Sequence, residues 1–166
     1  MINYFAFGSN LSSLRLLQRI PEASIGSVAV LSHHRLCWRK NDKGQSGKCD
    51  IEHTGVHEDI VYGVIYQMTL DEQAVLDGYE TEGFGYERKE VLVQTLDGEH
   101  IEVFTYYALD IDHLQKPFHW YKEHVLRGAV EHDFPDHYIE DIRNTPSIDD
   151  HDDERHHREL SIYLEL

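Results

Sequence analysis

Basic residues are scarce in this chain. It has 15 Lys and Arg against 31 Asp and Glu, a formal net charge of −16 over 166 residues. That balance argues against nucleic acid as a partner, since binding it needs a basic surface. The one locally basic segment, His33-His34-Arg35 with Arg39-Lys40, Lys43 and Lys48, reads as a solvated loop. Cysteine is scarce as well. Cys37 and Cys49 are the only two, and without an export signal they are expected to be free thiols. No apolar run approaches the roughly 20 residues that span a bilayer. The N-terminus has no basic region followed by an apolar segment, so no signal peptide is expected. A cytoplasmic location follows as an expectation, with no membrane partner.

What is present fits an ordinary soluble fold, with 40% hydrophobic and 28% charged residues. Ile2 to Phe7 is apolar and aromatic and reads as a short buried strand. Gly8-Ser9-Asn10 breaks it, and Leu11 to Ile20 follows with helical spacing before Pro21. Ser27 to Leu31 is a strand that is expected to run on through Arg35-Leu36-Cys37-Trp38. Asn41 to Gly47 has loop composition, and Cys49 to His53 is a further strand. Ile60 to Met68, rich in β-branched and aromatic residues, reads as a strand buried on both faces.

Thr69 and Glu72 form a capping box, which opens a helix through Leu76 with Gly78 near its end. Tyr86 to Thr95 and Ile101 to Tyr107 flank Asp97-Gly98 and are expected to pair antiparallel. Pro117 opens a helix that Gly128 ends, and Phe134, Tyr138 and Ile142 mark another. These elements give five or six strands, mostly antiparallel, with helices at intervals: an α+β fold. The expected domain is 1–146. A charged C-terminal extension, 147–166, is either polar helix or disordered, and alternating Leu160, Ile162, Leu164 and Leu166 also allow a docked last strand.

Two stretches carry candidate chemistry. At Gly8-Ser9-Asn10 a strand meets a helix N-terminus through glycine, so backbone N–H groups are free to hold a carboxylate or a developing oxyanion. It is not a P-loop, because Gly-Lys-Ser/Thr is absent, and the nucleophile-elbow pattern around Ser9 is missing. Glu80 is the second candidate. It lies after Leu76-Asp77-Gly78-Tyr79, ahead of a glycine-rich turn, with Val75, Leu76, Tyr79 and Phe84 as apolar neighbours. A carboxylate so placed suits general acid–base work. The 13 histidines suggest metal only weakly. His53 and His57 have helical ligand spacing but sit in turn sequence, so no metal site is expected.

Tyr4-Phe5-Ala6-Phe7-Gly8-Ser9-Asn10-Leu11 resembles the signature of the γ-glutamylcyclotransferase-like (AIG2-like) family, with Phe7 where the family usually has Tyr. Leu76-Asp77-x-x-Glu80 before a glycine and Tyr86 is similar to that family's catalytic segment. Tyr62-Gly63-Val64-Ile65-Tyr66 and the helix from Tyr121 to Gly128-Ala129 also match. The resemblance spans Ile2 to Ile142. It implies a small mixed, mostly antiparallel β-barrel flanked by helices. It also implies release of 5-oxoproline from a γ-glutamyl amino acid or amine by intramolecular aminolysis, without cofactor. Glu80 falls on the general acid/base, and Leu76 and Asp77 favour it over nearby Glu82. Tyr4, Phe5, Ala6, Phe7, Gly8, Ser9 and Asn10, with Tyr86, Tyr106 and Tyr121, fall on substrate-contacting positions. Two alternatives stay open: an enzyme for γ-glutamylamines, and a non-catalytic small-ligand or regulatory module on the same fold.

Overall fold

The computed structural model describes residues 1–164. Strand β1 (Ile2–Ala6) lies at the centre of the fold, and Phe5 and Ala6 are fully buried. Its apolar residues pair antiparallel with β5 (Ile60–Met68), from Ile2 opposite Met68 to Ala6 opposite Val64. β2 (Ser24–Ser32), β6 (Tyr86–Thr95) and β7 (His100–Ala108) complete a closed barrel in the order β1-β5-β2-β6-β7. Closure is made by the parallel contact of Tyr4 with Phe104. All the other pairings are antiparallel, so the barrel is mixed and mostly antiparallel.

The long strand expected after Ser27 is in fact two. His33 takes a left-handed backbone, φ 63°, and breaks the run. β3 (His34–Asp42) then leaves the barrel and pairs with β4 (Ser46–His53) as a two-stranded ribbon. The loop expected over Asn41 to Gly47 shrinks to a three-residue hairpin turn, Lys43-Gly44-Gln45, and its flanking residues join the ribbon. That ribbon matters, because it carries Cys49 to the mouth of the barrel.

Among the described residues, five α-helices surround the barrel. α1 (Ser13–Arg19) does not begin at the glycine turn. A single 3-10 turn, Ser9–Leu11, intervenes, and Ser12 is the N-cap. α2 (Leu70–Glu80) opens with the full Thr69–Glu72 capping box and runs beyond Gly78 to Glu80, where Thr81 caps it at φ 49°. α3 (His119–Glu131) passes through Gly128 instead of stopping there, because Gly128 is a contact point: a Cβ on it would overlap Leu11 and Ser12. α4 (Asp136–Asn144) follows as expected. The tail forms α5 (Asp153–Ser161) and not a strand; Leu166 lies outside the described residues. Buried Asp150 accepts from Trp120 Nε1 at 2.9 Å and from Arg155 Nε at 2.5 Å, and so ties the tail to α3.

Candidate active site

The capping box and the left-handed stop at Thr81 fix both ends of α2, and its last residue is Glu80. The Glu80 side chain is 16% exposed. Its Oε1 accepts from Asn10 Nδ2 at 3.1 Å and lies 3.5 Å from Arg19 Nη1. The other amide hydrogen of Asn10 goes to Tyr4 Oη, also at 3.1 Å, and Asn10 Oδ1 accepts from Arg19 Nη1 at 3.1 Å. Four elements, β1, the 3-10 turn, α1 and α2, thus meet at one buried amide. A polar group this well partnered holds a single orientation.

Around it the barrel and α3 supply a ring of phenols, two of them bonded to Cys49 of the ribbon. Tyr86 Oη donates to the Cys49 carbonyl at 2.7 Å, and Tyr121 Oη accepts from the Cys49 N–H at 3.0 Å. Tyr106 Oη donates to Asp77 Oδ1 at 2.7 Å, and Arg88 Nε lies 3.2 Å from the same oxygen. Burial pushes the hydroxyls of Tyr4, Tyr86, Tyr106 and Tyr121 far above the ordinary tyrosine range, so they remain neutral at physiological pH. Burial also lowers the Arg19 guanidinium from its ordinary value, since nearby Glu80 opposes that effect only in part.

This hollow is small, about 30 Å³, and it opens outward. Tyr4, Phe7, Gly8, Ser9, Asn10, Glu80, Tyr86, Tyr106 and Tyr121 line it, together with Cys49. Phe5 and Ala6 do not: their side chains are fully buried in the barrel core. Gly8 is needed for close approach, as a Cβ there would stand 2.9 Å from Cys49 Cβ and 3.4 Å from Tyr121 Oη. Larger hollows lie elsewhere. One of about 440 Å³ sits between β3 and α4, and neither Glu80 nor the glycine turn borders it.

The apolar surroundings expected for Glu80 are only partly present. Leu76 is fully buried, but Val75, Tyr79 and Phe84 face solvent, and the groups touching Glu80 are Asn10 and Arg19. Sequence reasoning missed Arg19, which also lies over the Tyr79 ring at 4.8 Å. It missed Cys49 as a wall residue too. Both arrive by tertiary packing, and no local motif marks them. Both cysteines are free, and burial raises each thiol. Among the described residues no group of three or more His, Cys, Asp or Glu is arranged to hold a metal ion, and no helix is long and apolar enough to cross a membrane.

The chain is similar to known proteins in sequence and in fold. The model of the AIG2-like family matches residues 60–142. The γ-glutamylcyclotransferase of Bos taurus is 32% identical over 142 residues, covering 81% of this chain and 73% of that protein. That of Homo sapiens is 31% identical over 147 residues, covering 84% and 76%. A solved structure of a γ-glutamyl cyclotransferase superposes with a TM-score of 0.81 at 27% identity, covering 90% of each chain.

Proposed function

The chain belongs to the γ-glutamylcyclotransferase-like (AIG2-like) family of enzymes and has a cyclotransferase function, and from that premise we propose that it releases 5-oxoproline from γ-glutamyl compounds with Glu80 as general acid and base. The observation that carries this reading is the placement of Glu80. Asn10 holds the carboxylate against the Gly8-Ser9-Asn10 turn, beside a hollow walled by neutral phenols.

The reaction is intramolecular. The α-ammonium of the γ-glutamyl group loses a proton to Glu80. The freed amine attacks the γ-carbonyl carbon and forms the ring C–N bond, and the carbonyl π electrons move onto oxygen. When they return, the original amide C–N bond breaks and the leaving nitrogen takes the proton from Glu80; Glu80 then passes the second proton of the ring nitrogen to the departing amine, which leaves as an ammonium. The products are 5-oxoproline and a free amine or amino acid. Ring closure needs the substrate bent, with amine and carbonyl in contact, and binding in a walled cleft supplies that. The first N–H groups of the 3-10 turn have no partner within it, so they are available to the carbonyl oxygen as charge develops there. Neutral Tyr121, whose oxygen accepts from Cys49, keeps its own hydrogen for a ligand.

The test is direct. The purified protein is incubated with a panel of γ-glutamyl dipeptides and γ-glutamylamines, and 5-oxoproline is assayed by mass spectrometry. Release from some members, lost in Glu80→Gln while calorimetric binding persists, is the expected result. Turnover by Glu80→Gln at the wild-type rate would remove Glu80 from the reaction.

A further inference from the structure

Arg15 stands directly beneath the glycine turn. It is buried, and its Nε donates to Ser9 Oγ at 3.2 Å. Its other end needs an anion, because a guanidinium taken out of water is costly when unpaired. The carboxylate comes from the far end of the chain: Glu159 Oε2, on α5, lies 2.5 Å from Arg15 Nη1. Among the described residues it is the only acidic group paired with Arg15. His124 on α3, fully buried, places Nε2 3.2 Å from the same Glu159 oxygen and so braces the pair.

A second contact falls at the other end of the same turn. Tyr163, just past α5, lies with Oη 2.9 Å from Ser12 Oγ and 2.6 Å from His124 Nδ1. Ser12 is the N-cap of α1 and accepts from the Arg15 N–H. The tail therefore grips the segment Ser9 to Ser12 at both ends, through Arg15 at one and Tyr163 at the other. Between those ends sits Asn10, which holds Glu80. The carboxylate of α5 thus ends on an arginine that touches the first residue of the turn, and the tyrosine that follows α5 ends on the residue just after the turn.

We propose that α5 is a positioning strap for the active site, with Glu159 acting through Arg15 on Ser9 to hold the substrate-binding turn. Glu159 touches no substrate, so it is a positioning residue. The inference rests on the turn's role in holding substrate.

Two readouts test it. The first is amide hydrogen exchange in the free enzyme: Glu159→Gln is expected to speed exchange at Ser9 to Ser12 about tenfold, while the β6–β7 hairpin stays protected. The second is kinetic. Glu159→Gln is expected to raise KM about tenfold with a smaller change in kcat, and Glu159→Asp to restore part of the loss. In a Ser9→Ala background the same change should have little further effect, because the relay is already cut. Unchanged exchange in the turn, or KM effects that simply add in the double variant, would overturn the strap. If Glu159→Gln does not fold, Tyr163→Phe removes only a hydroxyl and takes the same two readouts. If the wild type releases no 5-oxoproline, the reaction assignment falls by itself, and the exchange measurement still decides the strap.

Discussion

Asn10 donates a 3.1 Å hydrogen bond to Glu80 across seventy residues of chain. The same amide bonds Tyr4 and accepts from Arg19, so one side chain orients the proposed acid/base, a phenol and a cation together. Asn10→Ala deletes all three contacts and leaves the barrel core untouched. We expect kcat to fall about tenfold to a hundredfold, because the carboxylate is no longer held in attack geometry. Steady-state rates of 5-oxoproline release check this, and an unchanged kcat would mean that Glu80 is positioned by other groups.

Tyr86 and Tyr121 both bond Cys49, yet they are not equivalent. Tyr86 commits its hydrogen to the Cys49 carbonyl, whereas Tyr121 only accepts from the Cys49 amide. Tyr86→Phe therefore leaves a buried carbonyl unsatisfied, at a cost of about 1–3 kcal/mol in stability. Tyr121→Phe additionally removes a free donor facing the hollow and should cost about tenfold or more in kcat/KM. Thermal melts and kinetics on the two variants separate the roles. Equal activity losses in both would contradict the difference in their hydrogen bonding.

Much of this site was legible before the fold, and the unread part has physical causes. β5 and β6 are legible because each ends at a local signal, the Thr69–Glu72 capping box after Met68 and the Asp97-Gly98 turn after Thr95. The capping box at Thr69 placed the start of α2. Local chemistry was misleading where a residue answers to a distant neighbour. Gly128 looks like a helix stop but serves the approach of Leu11, and His33 turns left-handed without the glycine or asparagine that usually announces it. Arg19 and Cys49 reach the site only through packing, so nothing near them in the chain marks their role.

Gly128 offers a test in which two effects oppose. In an α-helix, alanine is favoured over glycine by about 1 kcal/mol. Here the added methyl would overlap Leu11 and the Ser12 backbone, which leads directly into the turn of the active site. Overpacking against backbone costs about 1–3 kcal/mol, so Gly128→Ala should lower the melting temperature despite its better propensity. A rise in melting temperature would show that α3 can shift away from the turn at little cost.

Acid should loosen the grip of α5 before it unfolds the barrel. Burial lowers the His124 imidazole from 6.5 to about 4, with Arg15 opposing its charge as well. Glu159 behaves differently: burial alone would raise its carboxyl, but the hydrogen bond from His124 and the charge of Arg15 bring it down to about 2. Both groups are thus depressed in the folded chain, and the unfolded chain binds protons first as pH falls. The His124 contribution is complete above pH 6.5 and is lost between there and about 4; that of Glu159 is lost between 4.5 and about 2. The histidine step corresponds to about 3 kcal/mol for a group this buried. Urea midpoints measured from pH 7 down to 4 should therefore decline steadily in the wild type. They should decline much less in His124→Gln, whose side chain does not titrate. Parallel pH profiles for the two proteins would place the acid sensitivity outside the His124–Glu159–Arg15 cluster.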